Sequence, residues 1–234
     1  MRIYATKVFD IFSKSSPDVS HLLQKLDTDR QKKIVKIKHN EEKLSSIFAG
    51  LLLRYAFFDE GYTQNDWKNM ELEYNEYGKP SIKEIKEFNY SLSHSGEWII
   101  CASDRENIGA DIQEKRKWKL QMAKRFYHKE EYERLLSFDE KNKEEQTNNF
   151  YMMWAAKESC VKLIGRGIGA GISQYITDNK FECIKELNDK GISEKKYNLR
   201  IYDNIENYII AVCSNKNEFA NNIDVVDRNI LMKL

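Results

Sequence analysis

Apolar residues recur at helical spacing in two long segments of the chain. Within Ile34–Phe58 the period is i, i+3, i+4, i+7, carried by Leu44, Ile47, Phe48, Leu51, Leu52 and Tyr55. This period puts the apolar side chains on one face of a long helix, which we expect Gly61 to end. The second segment, Phe150–Ile164, predicts another strong helix that stops at Gly165, since glycine commonly follows the last helical residue.

Shorter apolar stretches separated by turn residues predict strands. The first ten residues indicate a strand, and Phe88–Ser95 a strand followed by a loop. Glu97–Ser103 and Ile108–Gln113 are predicted to pair as a hairpin across the turn Asp104–Asn107. Near the C-terminus, short strands (FECI, YNLRIYD and YIIAVCS) alternate with polar turns.

The order of these elements predicts an α+β fold of two similar lobes related by a pseudo-twofold axis. Each lobe begins with a strand, continues with a long helix and ends in strands, so each is expected to pack a small antiparallel sheet with its helix. We place the N-terminal lobe at residues 1–104 and the C-terminal lobe at 105–234. In the second lobe Trp118–Leu136 is predicted to be helical and Asp139–Gln146 to be a charged surface loop.

Composition adds few constraints. The 234 residues carry 38 basic and 37 acidic side chains, a net charge of +1, which gives no reason to expect a nucleic-acid or membrane partner. No run of 18 apolar residues is present, and the start of the chain lacks the apolar region of a signal peptide, so we expect a cytoplasmic protein. The four cysteines are widely spaced, which indicates reduced thiols.

Two polar side chains on the strand Ile108–Gln113 are candidates for holding a hard cation. Alternation along a strand places Asp111 and Gln113 on the same face as Gly109 and leaves the apolar residues for the opposite, core face. An aspartate and an amide oxygen are suitable ligands for such a cation. The ordinary alternative is a solvated strand face.

The helix Phe150–Ile164 supplies a second candidate. Tyr151, Trp154, Glu158 and Lys162 share one face, and the last two are an i, i+4 pair. The ordinary interpretation is a surface salt bridge of about 0.3–0.5 kcal/mol.

Two further segments give weaker signals. Ser93–His94–Ser95 is expected in a loop, and without a G-x-S-x-G pattern around it a serine hydrolase is disfavoured. The glycine-rich stretch Gly165–Gly171 follows a helix rather than a strand and lacks G-K-[ST], so a helix cap and connection is favoured over a phosphate loop.

Taken in order, these segments resemble the phosphopantetheinyl transferases, in their two-lobed Sfp-like type. I-G-A-D-I-Q is similar to the family's G-[IV]-D-[IV]-E, and W-A-A-K-E-S-C-V-K-L-I-G-R-G to its W-x-x-K-E-[AS]-x-x-K-x-x-G-x-G. E-Y-G-K-P matches Y-G-K-P, and F-N-Y-S-L-S-H-S matches F-N-x-S-H-S with two extra residues. The similarity covers roughly Leu72 to Gly171 and, more loosely, the whole chain.

The resemblance implies a monomer that moves the phosphopantetheine arm of coenzyme A to a serine of an acyl or peptidyl carrier protein, releasing 3′,5′-ADP. It implies an active site at the lobe interface and Mg²⁺ or Mn²⁺ on Asp111, Gln113 and Glu158. It gives Lys79, Ser93 and His94 as coenzyme A contacts, with Lys157 as a further ligand contact, and basic residues of the first lobe near the 3′-phosphate. For these we select Arg30 and Lys33.

By the same resemblance, Asp111, Glu158 and Lys162 are the expected catalytic residues. Glu158 would accept the serine proton and Lys162 would reach the transferred phosphate. The sequence departs from the family motif at Gln113, where the family has an acid. The amide oxygen of Gln113 can still bind a cation, but it is neutral. Two alternatives remain: a metal-dependent phosphohydrolase of coenzyme A, and a catalytically inactive carrier-binding module.

Overall fold

The chain is divided into two units in a computed structural model that describes residues 1–8, 19–167, 171–188 and 190–234. The first unit comprises Met1–Tyr74, Pro80–Glu106 and Ala220–Leu234, and the second comprises Asn75–Lys79 and Asn107–Phe219. This division departs from a single split near residue 104, because the last segment belongs to the first unit and a short turn before Pro80 belongs to the second.

The first unit contains a four-stranded sheet, a short hairpin and a long helix. Its elements are β1 (Arg2–Lys7), β2 (Leu72–Tyr74), β3 (Pro80–Ile82), β4 (Asn89–Ser95), β5 (Trp98–Asp104), β11 (Asp224–Val225), α1 (Ser20–Leu23), α2 (Thr28–Val35), α3 (Asn40–Asp59), α4 (Gln64–Lys68) and α8 (Arg228–Lys233). The sheet order is β11-β1-β5-β4, in which only the β1–β11 pair is parallel. The apolar face of α3 packs into the core, where Phe48, Leu52 and Phe57 have no exposed surface.

The single helix predicted for Ile34–Phe58 is two helices. Lys36 caps the C-terminus of α2, and His39 adopts extended backbone angles before α3 begins at Asn40. Between the two helices Ile37 packs against the core, while its neighbours Lys36 and Lys38 are exposed. The helical period of apolar residues is therefore interrupted at this point, and the chain turns.

The second unit contains a five-stranded antiparallel sheet and the other long helix. Its elements are β6 (Ile108–Glu114), β7 (Tyr175–Thr177), β8 (Cys183–Leu187), β9 (Ser193–Tyr202), β10 (Tyr208–Ser214), α5 (Leu120–Phe126), α6 (Lys129–Leu136) and α7 (Lys143–Ile164). The sheet order is β6-β10-β9-β8-β7. Each unit therefore combines a sheet with one long helix, and the predicted α+β class is confirmed.

Three predictions for this region are wrong in detail. β5 and β6 do not form a hairpin, because β5 pairs with β1 and β4 whereas β6 pairs with β10. The predicted helix Trp118–Leu136 is α5 and α6, separated at His128, which forms a capping box with Glu131. The predicted loop Asp139–Gln146 is a short 3₁₀ turn followed by the start of α7.

Helix α7 packs directly on β6 and β10, and one glycine allows the close approach. A Cβ atom added to Gly109 would lie 1.9 Å from the backbone oxygen of Ser159 and 2.4 Å from the backbone nitrogen of Leu163. Any larger residue would force strand and helix apart. Gly109 therefore sets the short separation between β6 and α7, the two elements that carry the predicted catalytic side chains.

Cysteines and membrane-spanning potential complete the description of the fold. All four cysteines are free and buried, and burial raises the pKa of Cys101 to about 12 and that of Cys183 above its usual value.

Within the described ranges, no helix has both the length and the apolar character that crossing a bilayer requires.

Candidate active site

Asp111 lies on β6 with its side chain directed toward α7. Its Oδ1 accepts a hydrogen bond from Lys162 Nζ at 2.7 Å, and its Oδ2 accepts one from Gln113 Nε2 at 2.7 Å. The residue is only 2 % exposed. The sequence predicted that only the apolar face of this strand would be buried. In the structure both faces are buried: α7 covers the face of Asp111, and Ile108, Ala110 and Ile112 on the opposite face also lack exposed surface.

Glu158 lies on α7 one turn before Lys162 and is 6 % exposed. Its carboxylate has no hydrogen-bond or ion-pair partner among the residues described, since Lys162 pairs across to Asp111 instead. The surface salt bridge considered from the sequence is therefore absent from the described structure. Burial is the main cause that raises the pKa of Glu158 to about 7, the negative charge of Asp111 adds to the shift, and Lys162 opposes it.

The donors at this site suit a hard cation. Asp111, Glu158 and the amide of Gln113 offer oxygen ligands, which Mg²⁺ prefers. No group of three or more His, Cys, Asp or Glu side chains that could hold a metal occurs in the described part of the chain. The site thus offers two carboxylates, one of which is buried without a partner and would gain from a bound cation.

Lys157 is the clearest correction to the predicted site. Its side chain is fully buried and forms an ion pair of 2.7 Å with Glu131, which is equally buried. Its ammonium also donates to the backbone carbonyls of Tyr175 and Ile172, and Glu131 accepts from Thr177. Since no surface of Lys157 reaches solvent, the structure gives it a structural role in place of the predicted ligand contact.

Lys79 directly precedes β3, and its side chain contacts the C-terminal end of α7. Its Nζ donates to the backbone oxygen of Leu163 at 2.9 Å and more weakly to that of Ile108 at 3.4 Å. Burial lowers the pKa of Lys79 to about 8. Its predicted contact with coenzyme A would use the remaining donor capacity of this ammonium.

The other predicted contacts with coenzyme A belong to the first unit. Ser93 is buried and His94 exposed, and both lie on β4 rather than in a loop. Arg30 on α2 pairs with Asp27 at 3.5 Å, and Lys33 donates to the hydroxyl of Tyr74 at 3.3 Å. Hydrogen bonds join Asp111 to Gln113 and Lys162, and Glu158 lies one helical turn before Lys162. Lys79 belongs to the same second unit and contacts Leu163, and the participation of the first-unit residues stays a prediction.

Two residues that support the site were not predicted from the sequence. Glu131 had an available signal, because H-K-E-E at His128–Glu131 places an acid three residues after a potential cap. Asn75, which bonds to the end of α7, carried only the general signal of a turn residue. Gly165 ends α7 in the left-handed conformation as predicted, while residues 168–170 of the glycine-rich stretch lie outside the described residues.

A cavity of about 940 Å³ elsewhere in the second unit does not include the predicted site residues. Its lining contains Phe181 and Phe219 together with basic and acidic side chains in equal number. Because the opposing charges balance, the lining does not favour an anionic ligand.

Two protein families match most of the chain. Residues 107–213 match the family described as the 4′-phosphopantetheinyl transferase superfamily, and residues 12–106 match the family described as 4′-phosphopantetheinyl transferase, N-terminal. The chain is 29 % identical over 231 residues to 4′-phosphopantetheinyl transferase Sfp of Bacillus subtilis (strain 168), covering 97 % of this chain and 100 % of that protein.

Two further relatives extend the comparison to other bacteria. The chain is 32 % identical over 160 residues to 4′-phosphopantetheinyl transferase psf-1 of Bacillus pumilus, covering 67 % of this chain and 66 % of that protein. It is 29 % identical over 197 residues to 4′-phosphopantetheinyl transferase gsp of Aneurinibacillus migulanus, covering 82 % and 78 %. With the two family matches spanning residues 12–213 and relatives of the same description, the chain belongs to the 4′-phosphopantetheinyl transferase superfamily, in its Sfp-like group.

Proposed function

We propose that this protein moves the phosphopantetheine arm of coenzyme A onto a serine hydroxyl of an acyl or peptidyl carrier protein and releases 3′,5′-ADP. The observation that carries the proposal is the approach of β6 and α7, which brings Asp111 into contact with Lys162 and places the buried Glu158 one helical turn away. This arrangement lies within the segment that matches the family.

A divalent cation, Mg²⁺ or Mn²⁺, is part of the proposal. Asp111 and Glu158 would hold it, with the amide oxygen of Gln113 as a neutral third ligand. When bound, such a cation neutralises negative charge on the diphosphate oxygens of coenzyme A. Glu158 is only 6 % exposed and makes no hydrogen bond to the described residues, which supports this assignment, because a bound cation would offset the cost of burying its charge.

The reaction forms a bond between the serine oxygen and the β-phosphorus and breaks the bond from that phosphorus to the departing 3′,5′-ADP. Glu158 takes the serine proton. The Lys162 ammonium, which is partly exposed beside Asp111, binds the transferred phosphoryl group and stabilises its charge. Asp111 orients Lys162 for that contact.

We also propose the residues that contact coenzyme A. We assign its phosphates to Lys79 and His94, the adenosine side to Ser93, and the 3′-phosphate to Arg30 and Lys33. Of these, His94 and Lys33 are exposed and therefore accessible to an anionic ligand. Lys79 keeps donor capacity beyond its two backbone bonds.

The carrier protein is proposed to dock on α5 and the start of α6. Leu120 and Met122 are 39 % and 40 % exposed there, beside a cavity of about 520 Å³ that Lys119, Lys124 and Tyr132 help to line. An apolar patch edged by lysines suits a partner with an acidic helix. We further propose that the protein acts in the cytoplasm as a monomer.

Intact-mass spectrometry of apo-carrier proteins with coenzyme A and Mg²⁺ tests the proposed function. The expected result is the addition of one phosphopantetheine arm to the carrier, with 3′,5′-ADP formed only when the carrier is present. Release of 3′,5′-ADP without a carrier would identify a phosphohydrolase instead. Binding of coenzyme A by calorimetry without any mass gain on a range of carriers would identify an inactive binding module.

Replacing Gln113 with glutamate tests the metal assignment. Gln113 donates to Asp111, and a glutamate at this position would place two carboxylates side by side. We expect Gln113→Glu to bind Mn²⁺ about tenfold more tightly, a change of about 1.4 kcal/mol, and to keep or raise activity at limiting Mg²⁺. Electron paramagnetic resonance of free Mn²⁺ measures the affinity.

The neighbouring acid gives a matched control for this experiment. Glu114 pairs with Arg116, so Glu114→Gln should leave the Mn²⁺ affinity unchanged. A Gln113→Glu protein with unaltered Mn²⁺ affinity would remove residue 113 from the metal site. A folded but inactive Gln113→Glu protein would mean that the reaction needs the amide itself.

A further inference from the structure

The turn Asn75–Lys79 is organised by a single side chain. Asn75 Oδ1 accepts hydrogen bonds from the backbone nitrogens of Tyr77 at 3.0 Å and Lys79 at 2.8 Å. The backbone closes the turn as well, with Gly78 donating to the Asn75 carbonyl at 2.9 Å and adopting a φ of 86°. Although the turn connects β2 to β3 of the first unit, it belongs to the second.

The same turn bonds to the C-terminal end of α7. Asn75 Nδ2 donates to the backbone oxygen of Gly165 at 3.0 Å, and Lys79 Nζ donates to that of Leu163 at 2.9 Å. The approach is close, because a Cβ atom added to Gly165 would lie 2.6 Å from Asn75 Nδ2 and 3.0 Å from Lys79 Cδ. The turn therefore fits tightly against the last residues of the helix.

These bonds supply hydrogen-bond donors to backbone carbonyl groups at the C-terminus of α7. The last carbonyl groups of an α-helix have no partner within the helix, and its C-terminus carries partial negative charge. Asn75 supplies a neutral donor, and Lys79 supplies a positive charge that is favourable at this end. The Lys79 ammonium also reaches the carbonyl of Ile108, the first residue of β6, at 3.4 Å.

One turn is thus bonded to both elements that carry the proposed catalytic side chains. Leu163 directly follows Lys162, and Ile108 lies three residues before Asp111 on β6. We propose that Asn75–Lys79 is a positioning element that holds the last turn of α7 on the start of β6, and so fixes Lys162 against Asp111, with Asn75 as its key positioning residue. The catalytic part of this inference rests on the transfer activity proposed above.

Asn75→Ala tests the proposal better than a change of Lys79, because Lys79 is also assigned to coenzyme A. Loss of one neutral hydrogen bond and of the turn it organises should speed amide hydrogen exchange in Val161–Gly165 about tenfold. The kcat for carrier modification should fall by a similar factor, and by more than the KM for coenzyme A rises through the released Lys79. Asn75→Asp, which keeps the acceptor but places negative charge at the helix C-terminus, should lower kcat at least as much.

A matched control removes the same kind of bond elsewhere. Asn198 Nδ2 on β9 donates to the backbone oxygen of Asn215 at 3.0 Å, so Asn198→Ala should affect neither kcat nor exchange in α7. The proposal is overturned if Asn75→Ala retains wild-type kcat, if it raises the KM for coenzyme A alone, or if it exchanges at α7 like the control. If the wild-type protein modifies no carrier, the proposed function fails, and the exchange experiment still decides whether the turn holds the helix.

Discussion

Glu158→Gln is expected to lower the kcat of carrier modification by about 10³-fold or more while making the metal-free protein more stable. Glu158 is proposed both to accept the serine proton and to hold the cation, and general-base catalysis alone contributes about 10²–10⁴-fold. A glutamine has the same shape but neither accepts the proton nor carries the charge. Steady-state assays with coenzyme A, Mg²⁺ and a carrier measure the loss.

The stability change follows from the raised pKa of Glu158. In the folded protein this pKa is about 7, above its usual value of 4.5, so folding favours the protonated form. The corresponding stabilisation is fully present below about pH 4.5 and is lost as pH rises through 7. At pH 8 the ionised, buried carboxylate therefore lowers the free energy of unfolding relative to acidic pH, by up to about 3.5 kcal/mol at 1.4 kcal/mol per unit of pKa.

Thermal melts at pH 8 with a chelator provide the control for this variant. A Glu158→Gln protein with a higher Tm and lost activity would separate catalysis from folding. Retained wild-type turnover would remove Glu158 from the mechanism. A lower Tm would show that the ionised carboxylate has a stabilising partner in the metal-free protein.

The largest loss of stability is expected for Lys157→Met. Removing one partner of a buried ion pair leaves the other charge without compensation, at a cost of about 3–5 kcal/mol. In this protein the remaining charge is Glu131, which has no exposed surface and joins α6 to α7 and to β7 through Thr177. Urea denaturation of the variant and the wild-type protein measures the difference.

A double variant distinguishes the ion pair from general disruption of the core. Glu131→Gln combined with Lys157→Met removes both charges, so it should be more stable than Lys157→Met alone. If Lys157 were a coenzyme A contact, the single variant would keep its stability and show a raised KM for coenzyme A. Wild-type stability in Lys157→Met would contradict the structural role.

Sequence periodicity located most elements but not their partners. The helical period identified the cores of α3 and α7 because each presents a wide apolar face to its sheet. A hairpin was predicted for β5 and β6 because strands that are neighbours in sequence usually pair. The prediction was wrong because the chain passes from one unit to the next at Glu106, between these two strands. Alternation along β6 grouped Gly109, Asp111 and Gln113 correctly, but it could not show that α7 covers that face.

The site itself depended on several weak signals taken together. Neither Asp111 nor Glu158 could be distinguished from an ordinary surface acid by spacing alone, and the resemblance of whole motifs selected them. Lys157 was assigned to a ligand contact because it directly precedes Glu158, and only three-dimensional packing reveals the distant Glu131 as its partner. The bond from Asn75 to Gly165 spans 90 positions of sequence, beyond the range of any local pattern.

The burial of all four cysteines has a consequence for an enzyme whose proposed substrate ends in a free thiol. Mixed disulfides form by attack of an exposed thiolate, and burial both blocks access and disfavours ionisation. Here burial raises the pKa of the Cys101, Cys160 and Cys183 thiols. The folded protein can therefore be kept with coenzyme A or its oxidised dimer without becoming covalently modified, whereas an unfolded chain would react at every cysteine.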